Sequence, residues 1–241
     1  MIKIKVADLV IKINNRYNTV VEKCRDYLVA DDTPEDFFIE ITDEEIAYVK
    51  KWKQEYENDC ISDADAEYDY LYQKYGKYLP FFDAFLLHAV VLEINGKAYA
   101  FSANSGVGKS THAGLWLKVF GDKVRIIDGD NPIIRIFDGK AYAYGTPCCG
   151  KEGWHTNTRA ELSGIGFIVR AENNSIKRVP GYIAYLKTVG LSGHNCVPQN
   201  QEKLFDLFQQ LVNVVPFYEI HCNMDKEAAI VAKEKMCGGT K

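Results

Sequence analysis

The pattern of hydrophobic and polar positions changes near residue 80. Before this point, short alternating runs such as Phe38-Ile39-Glu40-Ile41 precede a charged, tyrosine-rich stretch over residues 43–78. Thr42 and Glu45 form a capping-box pattern at the start of that stretch, which is typical of a helix. Later residues alternate between strand and helix patterns. We therefore predict a smaller N-terminal α+β region over residues 1–80 and a larger domain over residues 81–241.

Two hairpin patterns flank a glycine-rich loop in the larger domain. A nearly continuous apolar run over residues 85–94 and an alternating run over residues 97–101 are separated by Asn95-Gly96, a pair typical of a two-residue hairpin turn. Asp138-Gly139 separates a second pair of predicted strands in the same way. Hairpins on both sides of the loop argue against an all-parallel sheet, in which a crossover helix would follow each strand. We predict an α/β fold with a mixed sheet.

The remaining patterns of the larger domain complete this prediction. They indicate strands at residues 124–127, 132–137, 141–144, 164–170 and 217–222, and helices at residues 111–120, 201–214 and 225–236, the last with Asp225 as its N-cap.

Composition narrows the class of protein. The chain has 241 residues, 47% of them hydrophobic and 26% charged, which is the balance of a soluble globular protein. A net charge of -4 argues against a nucleic-acid partner, since binding to a phosphate backbone needs a basic excess. We find no secretory signal and no apolar stretch of about 20 residues, so we expect a cytoplasmic protein without a membrane partner. Seven cysteines, an odd number, indicate reduced thiols.

The glycine-rich loop is the main candidate for chemistry. Residues 103–110 follow the pattern Gly-x-x-x-x-Gly-Lys-Ser/Thr except that Ala103 replaces the first glycine. Glycines let backbone N–H groups converge on phosphate oxygens, and the following helix N-terminus favours an anion. The alternative is a glycine-rich turn with a solvated lysine. We predict that the loop binds ATP or another nucleoside triphosphate through Ser105, Gly106, Val107, Gly108, Lys109, Ser110 and Thr111.

An acidic pair follows the next predicted strand. Asp128 and Asp130 would return to the loop beside Lys109 and Ser110, where phosphoryl transfer needs a metal ligand and an acceptor for the hydroxyl proton. We predict that Ser110, Asp128 and Asp130 hold Mg²⁺. The alternative is an ordinary turn, because Asp, Gly and Asn favour turns in any context.

Further candidate residues lie before and after the pair. His88 interrupts an apolar strand, where a histidine is often only a core residue. The polar loop over residues 145–157 has the composition of a substrate-covering loop or of an ordinary surface loop. Within it, Lys151 is a candidate to stabilise the charge of a transferred phosphate, and His155 and Asn157 are candidates to bind an acceptor.

These motifs together resemble a known family. Leu87-His88-Ala89-Val90, the loop at residues 105–110 and the acidic pair are similar to the catalytic domain of HPr kinase/phosphorylase. The resemblance is closer to a bacterial group of stand-alone HPr-kinase-like proteins of uncertain substrate, and it covers residues 81–236. Its additional motifs are Ser110-Thr111-His112, Leu115-Trp116, Tyr144-Gly145-Thr146-Pro147 and Gly150-Lys151.

The resemblance implies a fold, an activity and roles for single residues. The fold would be the phosphoenolpyruvate-carboxykinase-like P-loop kinase fold, and the activity an ATP- and Mg²⁺-dependent kinase. Lys109 and Ser110 would hold phosphates and magnesium, His88 would lie near the phosphates, and Asp130 would be the general base. Gly129 replaces the first aspartate of the Asp-Asp pair of the family. This departure leaves open a second function, that of a nucleotide-binding sensor or regulatory protein without catalysis.

The acceptor is less well defined than the nucleotide. Residues 1–80 do not resemble the N-terminal domain of HPr kinases, so HPr itself is not implied as the substrate. Related stand-alone kinases phosphorylate serine residues of precursor peptides. We expect a hydroxyl acceptor on a peptide, a small protein or a metabolite, with residues 1–80 as a candidate region for its recognition. The family likeness is compatible with a homo-oligomer.

Overall fold

The computed structural model describes residues 1–148, 150–193 and 197–238. The chain divides into two compact units, Met1–Tyr78 and a second unit that begins at Leu79. Within the described ranges, no helix combines the length and the apolar character needed to cross a bilayer.

The first unit is a small α+β structure. Its strands form a sheet in the order β1-β2-β3, with β1 antiparallel and β3 parallel to β2. The unit consists of β1 (Ile2–Val6), β2 (Leu9–Asn14), α1 (Asn18–Lys23), β3 (Phe37–Glu40), α2 (Asp43–Trp52) and α3 (Asp63–Gly76).

The predicted helical stretch of the first unit is interrupted. The capping box of Thr42 and Glu45 is confirmed at the start of α2. A π-helical segment, Lys53–Glu57, follows α2 and ends at Asn58, whose backbone is left-handed. Ser62 caps a new helix, α3, because its side chain accepts a hydrogen bond from the backbone N–H of Asp65. The predicted helical character of residues 43–78 is therefore confirmed, and the structure divides the stretch into two capped helices.

The second unit is an α/β structure built on one mixed sheet, as predicted. Among the described residues, nine strands form this sheet. Seven of them follow the order β4-β8-β9-β10-β6-β5-β7. Strand β12 pairs with residues 165–170 of β10, and β11 pairs with β12. Strand β10 is parallel to β6 and β12, and the other pairs are antiparallel. The elements are β4 (Ala84–Leu86), β5 (Ala89–Ile94), β6 (Lys97–Ser102), α4 (Lys109–Phe120), β7 (Val124–Asp128), β8 (Ile133–Phe137), β9 (Lys140–Tyr144), β10 (Arg159–Arg170), β11 (Ser175–Arg178), α5 (Gly181–Ser192), α6 (Gln201–Val214), β12 (Phe217–Cys222) and α7 (Glu227–Cys237).

Both predicted hairpin turns are confirmed. Asn95 and Gly96 have φ angles of 53° and 75° and connect β5 to β6. Asp138 and Gly139 have φ angles of 52° and 70° and connect β8 to β9. Positive φ at both central residues matches the right-handed twist of a hairpin, and Asn, Asp and Gly tolerate it.

The apolar run over residues 85–94 is two strands instead of the predicted one. Strand β4 pairs with β8, whereas β5 pairs with β6 and β7. Between them, the N–H of Leu87 donates to the carbonyl of Pro132 and the N–H of Ala89 donates to the carbonyl of Asp130. The chain thus changes its pairing partner at His88, beside the turn that carries Asp130.

Helices cover both faces of the mixed sheet. Helix α6 packs its predicted apolar face on one side, where it lies next to α5, and α4 and α7 pack together on the other. Sequence patterns missed α5, which is apolar on most sides and so has weak periodicity. The predicted N-cap of the last helix was also wrong. The carboxylate of Asp225 accepts a hydrogen bond from Asn223, and α7 begins two residues later.

Candidate functional site

The glycine-rich loop connects β6 to α4, so the predicted strand and helix on its two sides are confirmed. Gly106 and Gly108 have φ angles of 76° and 128°, which L side chains rarely adopt. A Cβ atom at either position would meet nothing within 4 Å. The loop therefore requires glycine for its backbone conformation, and the space above it is open to a ligand. The first N–H groups of α4 have no partner within a helix, as at any helix N-terminus.

Lys109 is the first residue of α4 and points inward. Its side-chain Nζ lies 2.7 Å from Nε2 of His88 and donates to the carbonyl of Ala103 at 3.3 Å. Burial lowers the pKa of the Lys109 ammonium, while the negative charges of Asp130 and Glu152 act in the opposite direction. Burial removes water from this ammonium, and a phosphate bound at the loop would stabilise its positive charge.

His88 connects Lys109 to Asp130. Its Nδ1 lies 3.5 Å from Oδ1 of Asp130, on the ring edge opposite to Lys109. The backbone of His88 is held from two sides, because its N–H donates to Oγ of Ser192 and its carbonyl accepts from Oγ of Ser102. The fold therefore brings three predicted site residues together, in the order Lys109, His88, Asp130.

Asp128 supports its own turn in the structure, and its metal-binding role stays a prediction. Its side chain is fully buried, and its Oδ1 accepts the N–H groups of Asp130 and Asn131, both at 2.8 Å. Oδ2 accepts the N–H and the hydroxyl of Thr146 at 2.8 and 3.0 Å. Four donors thus occupy the lone-pair sites of the carboxylate. Asp128 thus supports the turn that presents Asp130, and Ser110, Asp128 and Asp130 stay the predicted metal ligands.

Burial and hydrogen bonding oppose each other at Asp128. Burial raises the pKa of its carboxyl group to about 7, and the donors from Asp130, Thr146 and Asn131 act against this rise because they bind the ionised form. Through its hydrogen bonds with Thr146, Asp128 also connects the end of β7 to the loop that follows β9.

The polar loop, described at residues 145–148 and 150–157, approaches Asp130 at Gly150. Gly150 has a φ of 76°, and a Cβ atom on it would lie 3.0 Å from Cβ of Asp130. The end of the loop is held by Thr156, whose N–H and hydroxyl donate to the carbonyls of Ile127 and Ile126. Glycine at position 150 thus allows the backbone of this loop to approach the carboxylate closely.

The three candidates within that loop occupy different positions. Lys151 is exposed and directly follows Gly150 in the chain. His155 is half-buried and forms an isolated antiparallel bridge with Asp128, while Asn157 is exposed. The roles of these three residues towards a phosphate or an acceptor stay predictions.

Sequence reasoning missed Arg170, the last residue of β10. Its guanidinium donates to the carbonyl of Val107 at 2.9 Å and to the carbonyl of Gly106. Because the C=O and N–H of a trans peptide point in opposite directions, a guanidinium on the Val107 carbonyl turns the N–H of Gly108 to the other side of the loop. The sequence signal was an arginine at the end of an apolar strand, but its register beside the loop could not be inferred.

Comparisons with known proteins find similarity only among solved structures, and it is distant in the example that follows. No family model and no curated protein matches the sequence. A solved structure titled "Structure of the Hpr(Ser) kinase/phosphatase from Coxiella burnetii" is similar at 8% identity with a TM-score of 0.37, over 64% of this chain and 97% of that chain. A similarity of this size identifies neither a family nor an activity for this chain.

Proposed function

We propose that this protein is a P-loop kinase that transfers the terminal phosphoryl group of ATP, or of another nucleoside triphosphate, to a hydroxyl acceptor. The observation that carries the proposal is the series Lys109, His88, Asp130 beside the glycine-rich loop. It combines a cation for phosphate, a loop of backbone N–H groups and a carboxylate that can accept a proton, which phosphoryl transfer requires.

Each residue of the series has a distinct role in the proposed reaction. The acceptor oxygen forms a bond to the terminal phosphorus, the bond from that phosphorus to the bridging oxygen breaks, and the nucleoside diphosphate leaves. Asp130 takes the proton of the acceptor hydroxyl as general base. Lys109 and the loop N–H groups stabilise the phosphate oxygens, while His88 holds the Lys109 ammonium in place. Lys151 adds positive charge beside the transferred group.

The residues present fit magnesium bound together with phosphates. Ser110 offers a hydroxyl and Asp130 a carboxylate, and Mg²⁺ prefers such oxygen ligands. In the described part of the chain, no group of three or more His, Cys, Asp or Glu residues could hold a metal ion. Mg²⁺ commonly binds through one or two carboxylates plus substrate phosphates, where it neutralises the charge that develops during transfer.

The acceptor is a hydroxyl on a peptide serine, a small protein or a metabolite. It has to reach Asp130, and the loop around Gly150 lies on that side of the site. His155 and Asn157 follow in the same loop and are the candidates for binding the acceptor.

An ATP-consumption assay with Mg²⁺ over a panel of serine-containing peptides and hydroxyl metabolites tests the proposal. We expect ADP release that depends on one class of acceptor, and a phosphorylated product visible by mass spectrometry. ATP binding without ADP release for every acceptor would reject the kinase.

A nucleotide-binding sensor is the second candidate function. Two observations favour it. The Asp128 carboxylate accepts hydrogen bonds within its own turn, and Gly129 has no side chain to bind a metal. Asp130 is then the carboxylate of this segment that is available for chemistry. A sensor would bind ATP and ADP with different affinities and would not change either of them. Calorimetric titration with both nucleotides, followed by analysis of the recovered nucleotide, separates it from the kinase.

A further inference from the structure

The two sides of the glycine-rich loop differ in chemistry. Ser102, the last residue of β6, pairs with Ala89 of β5 on one side and with Phe167 of β10 on the other. His88 and Asp130 lie on the β5 side. Lys109, His88 and Asp130 are not among the described residues that line the β10 side.

A groove runs along the β10 side of the loop. It consists of two adjoining depressions of about 330 and 520 Å³, which share Val107 and Ile168 as lining residues. The first continues past Phe167 to Gly190 and Leu191 on α5. Volumes of this size fall in the range of about 300–1,000 Å³ that small-molecule sites occupy.

We propose that this loop groove binds the nucleoside part, base and ribose, of the nucleoside triphosphate. The inference rests on the proposed function and names the position of the substrate within that same site. The acceptor has to lie on the Asp130 side, because its hydroxyl proton passes to that carboxylate. A triphosphate on the loop therefore extends its nucleoside end away from Asp130, towards β10.

The lining of the loop groove suits a flat, largely apolar group attached to an anion. Val107, Ile168 and Leu191 provide aliphatic contacts. Among the described residues that line it, the charged side chains are the cations Lys187 and Arg170. The Lys187 ammonium binds Glu219 at 2.8 Å and lies 5.1 Å from the centre of the Phe167 ring, so the floor of the groove is held in place.

Gly190 offers a way to fill the groove without changing the loop. A Cβ atom on Gly190 would meet nothing within 4 Å, so the Gly190→Leu variant places its side chain in the open groove. Gly181, at the other end of α5, has the same open surroundings and does not line the groove. Gly181→Leu is therefore a matched control, since leucine favours a helix more than glycine at both positions.

The test compares ATP with inorganic tripolyphosphate, each with Mg²⁺, by calorimetry. We expect the wild-type protein to bind ATP about tenfold more tightly than tripolyphosphate. Gly190→Leu should remove this difference by weakening ATP alone, and Gly181→Leu should retain it. Equal affinities in the wild-type protein, equal loss of both ligands, or unchanged ATP binding in Gly190→Leu would overturn the groove assignment.

Photolabelling of the wild-type protein keeps the inference testable if Gly190→Leu fails to fold. An azido-ATP analogue should label peptides that contain Val107, residues 167–170 or residues 187–191, and ATP should compete with it. Specific labelling elsewhere in the chain would contradict the proposal. Failure of the proposed function looks different, because the protein would then bind neither ATP nor tripolyphosphate, or would bind ATP without transfer.

Discussion

The Nζ atom of Lys109 lies 2.7 Å from Nε2 of His88, and the opposite nitrogen of that ring lies 3.5 Å from Oδ1 of Asp130. The ammonium group is thus held inside the site before any phosphate is bound. A preformed arrangement of this kind lowers the cost of ordering side chains when the ligand arrives. The role of each residue in the series can be tested separately.

Replacing Lys109 with methionine should lower the affinity for ATP about 10- to 100-fold, because charge-assisted hydrogen bonds contribute roughly 1.5–3 kcal/mol. Burial already disfavours the ammonium, as its lowered pKa indicates, so the melting temperature should stay equal or rise. Calorimetry with ATP and Mg²⁺, together with thermal denaturation, measures both effects. Lys118→Met, in the last turn of the same helix, is the control and should bind ATP normally. An unchanged ATP affinity in Lys109→Met would show that the glycine-rich loop is not part of the ATP-binding site.

Replacing Asp130 with asparagine should reduce turnover by a factor of about 10²–10⁴, the usual contribution of a general base. At saturating Mg²⁺, ATP binding should stay within a few-fold of the wild-type value, since the amide keeps the shape of the carboxyl group and an oxygen that can bind the metal. Steady-state rates and nucleotide affinities should be measured on the same preparations. Asp138→Asn, in an exposed hairpin turn where asparagine tolerates positive φ, is the matched control. Normal turnover in Asp130→Asn would show that another group takes the proton.

Replacing Asp128 with asparagine should destabilise the protein by about 1–3 kcal/mol, because an amide nitrogen would face the N–H of Thr146 or of Asp130 in a buried turn. Turnover should also fall as the turn that carries Asp130 shifts. The Mg²⁺ concentration that gives half-maximal activity should remain the same. Urea unfolding and a magnesium titration of the residual activity measure these effects. A large increase in the Mg²⁺ requirement, with normal stability, would instead show that Asp128 is a metal ligand.

Replacing Arg170 with alanine should weaken ATP binding about tenfold with little change in the maximal rate, since its guanidinium donates to the loop carbonyls of Gly106 and Val107. The loss should therefore appear in KM and not in kcat. Arg170→Lys should recover only part of the affinity, because an ammonium does not reproduce the planar geometry of a guanidinium. Arg178→Ala, on the exposed strand β11, serves as the control. A fall in kcat at unchanged KM would argue against the loop contact as the cause.

Acid should destabilise the protein through His112. Its ring is buried and accepts a hydrogen bond from Nε1 of Trp116, and burial lowers its pKa to about 4. The unfolded chain binds a proton near pH 6.5 and the folded protein does not, so the free energy of unfolding falls as pH drops from above 6.5 towards 4. The loss at pH 5 should be about 2 kcal/mol. Urea unfolding of the wild-type protein and of His112→Gln at pH 7.5 and 5 isolates this contribution. An equal pH dependence of the unfolding free energy in both proteins would refute it.

Short-range signals explain what the sequence determined by itself. Asn95-Gly96, Asp138-Gly139 and the capping box of Thr42 predicted two turns and a helix start, because φ preferences and caps depend on a few adjacent residues. The glycine-rich pattern likewise located the loop between a strand and a helix. These features require no knowledge of distant pairing.

Only the tertiary structure decided how distant segments meet. The apolar run over residues 85–94 breaks at His88 because its two halves pair with different strands, and periodicity does not distinguish one buried strand from two. Asp128 supports the turn of Asp130 because Thr146, from another loop, supplies two of its donors, a contact that no local pattern predicts. Arg170 reaches the glycine-rich loop through the register of β10 beside β6, which depends on packing across the whole sheet.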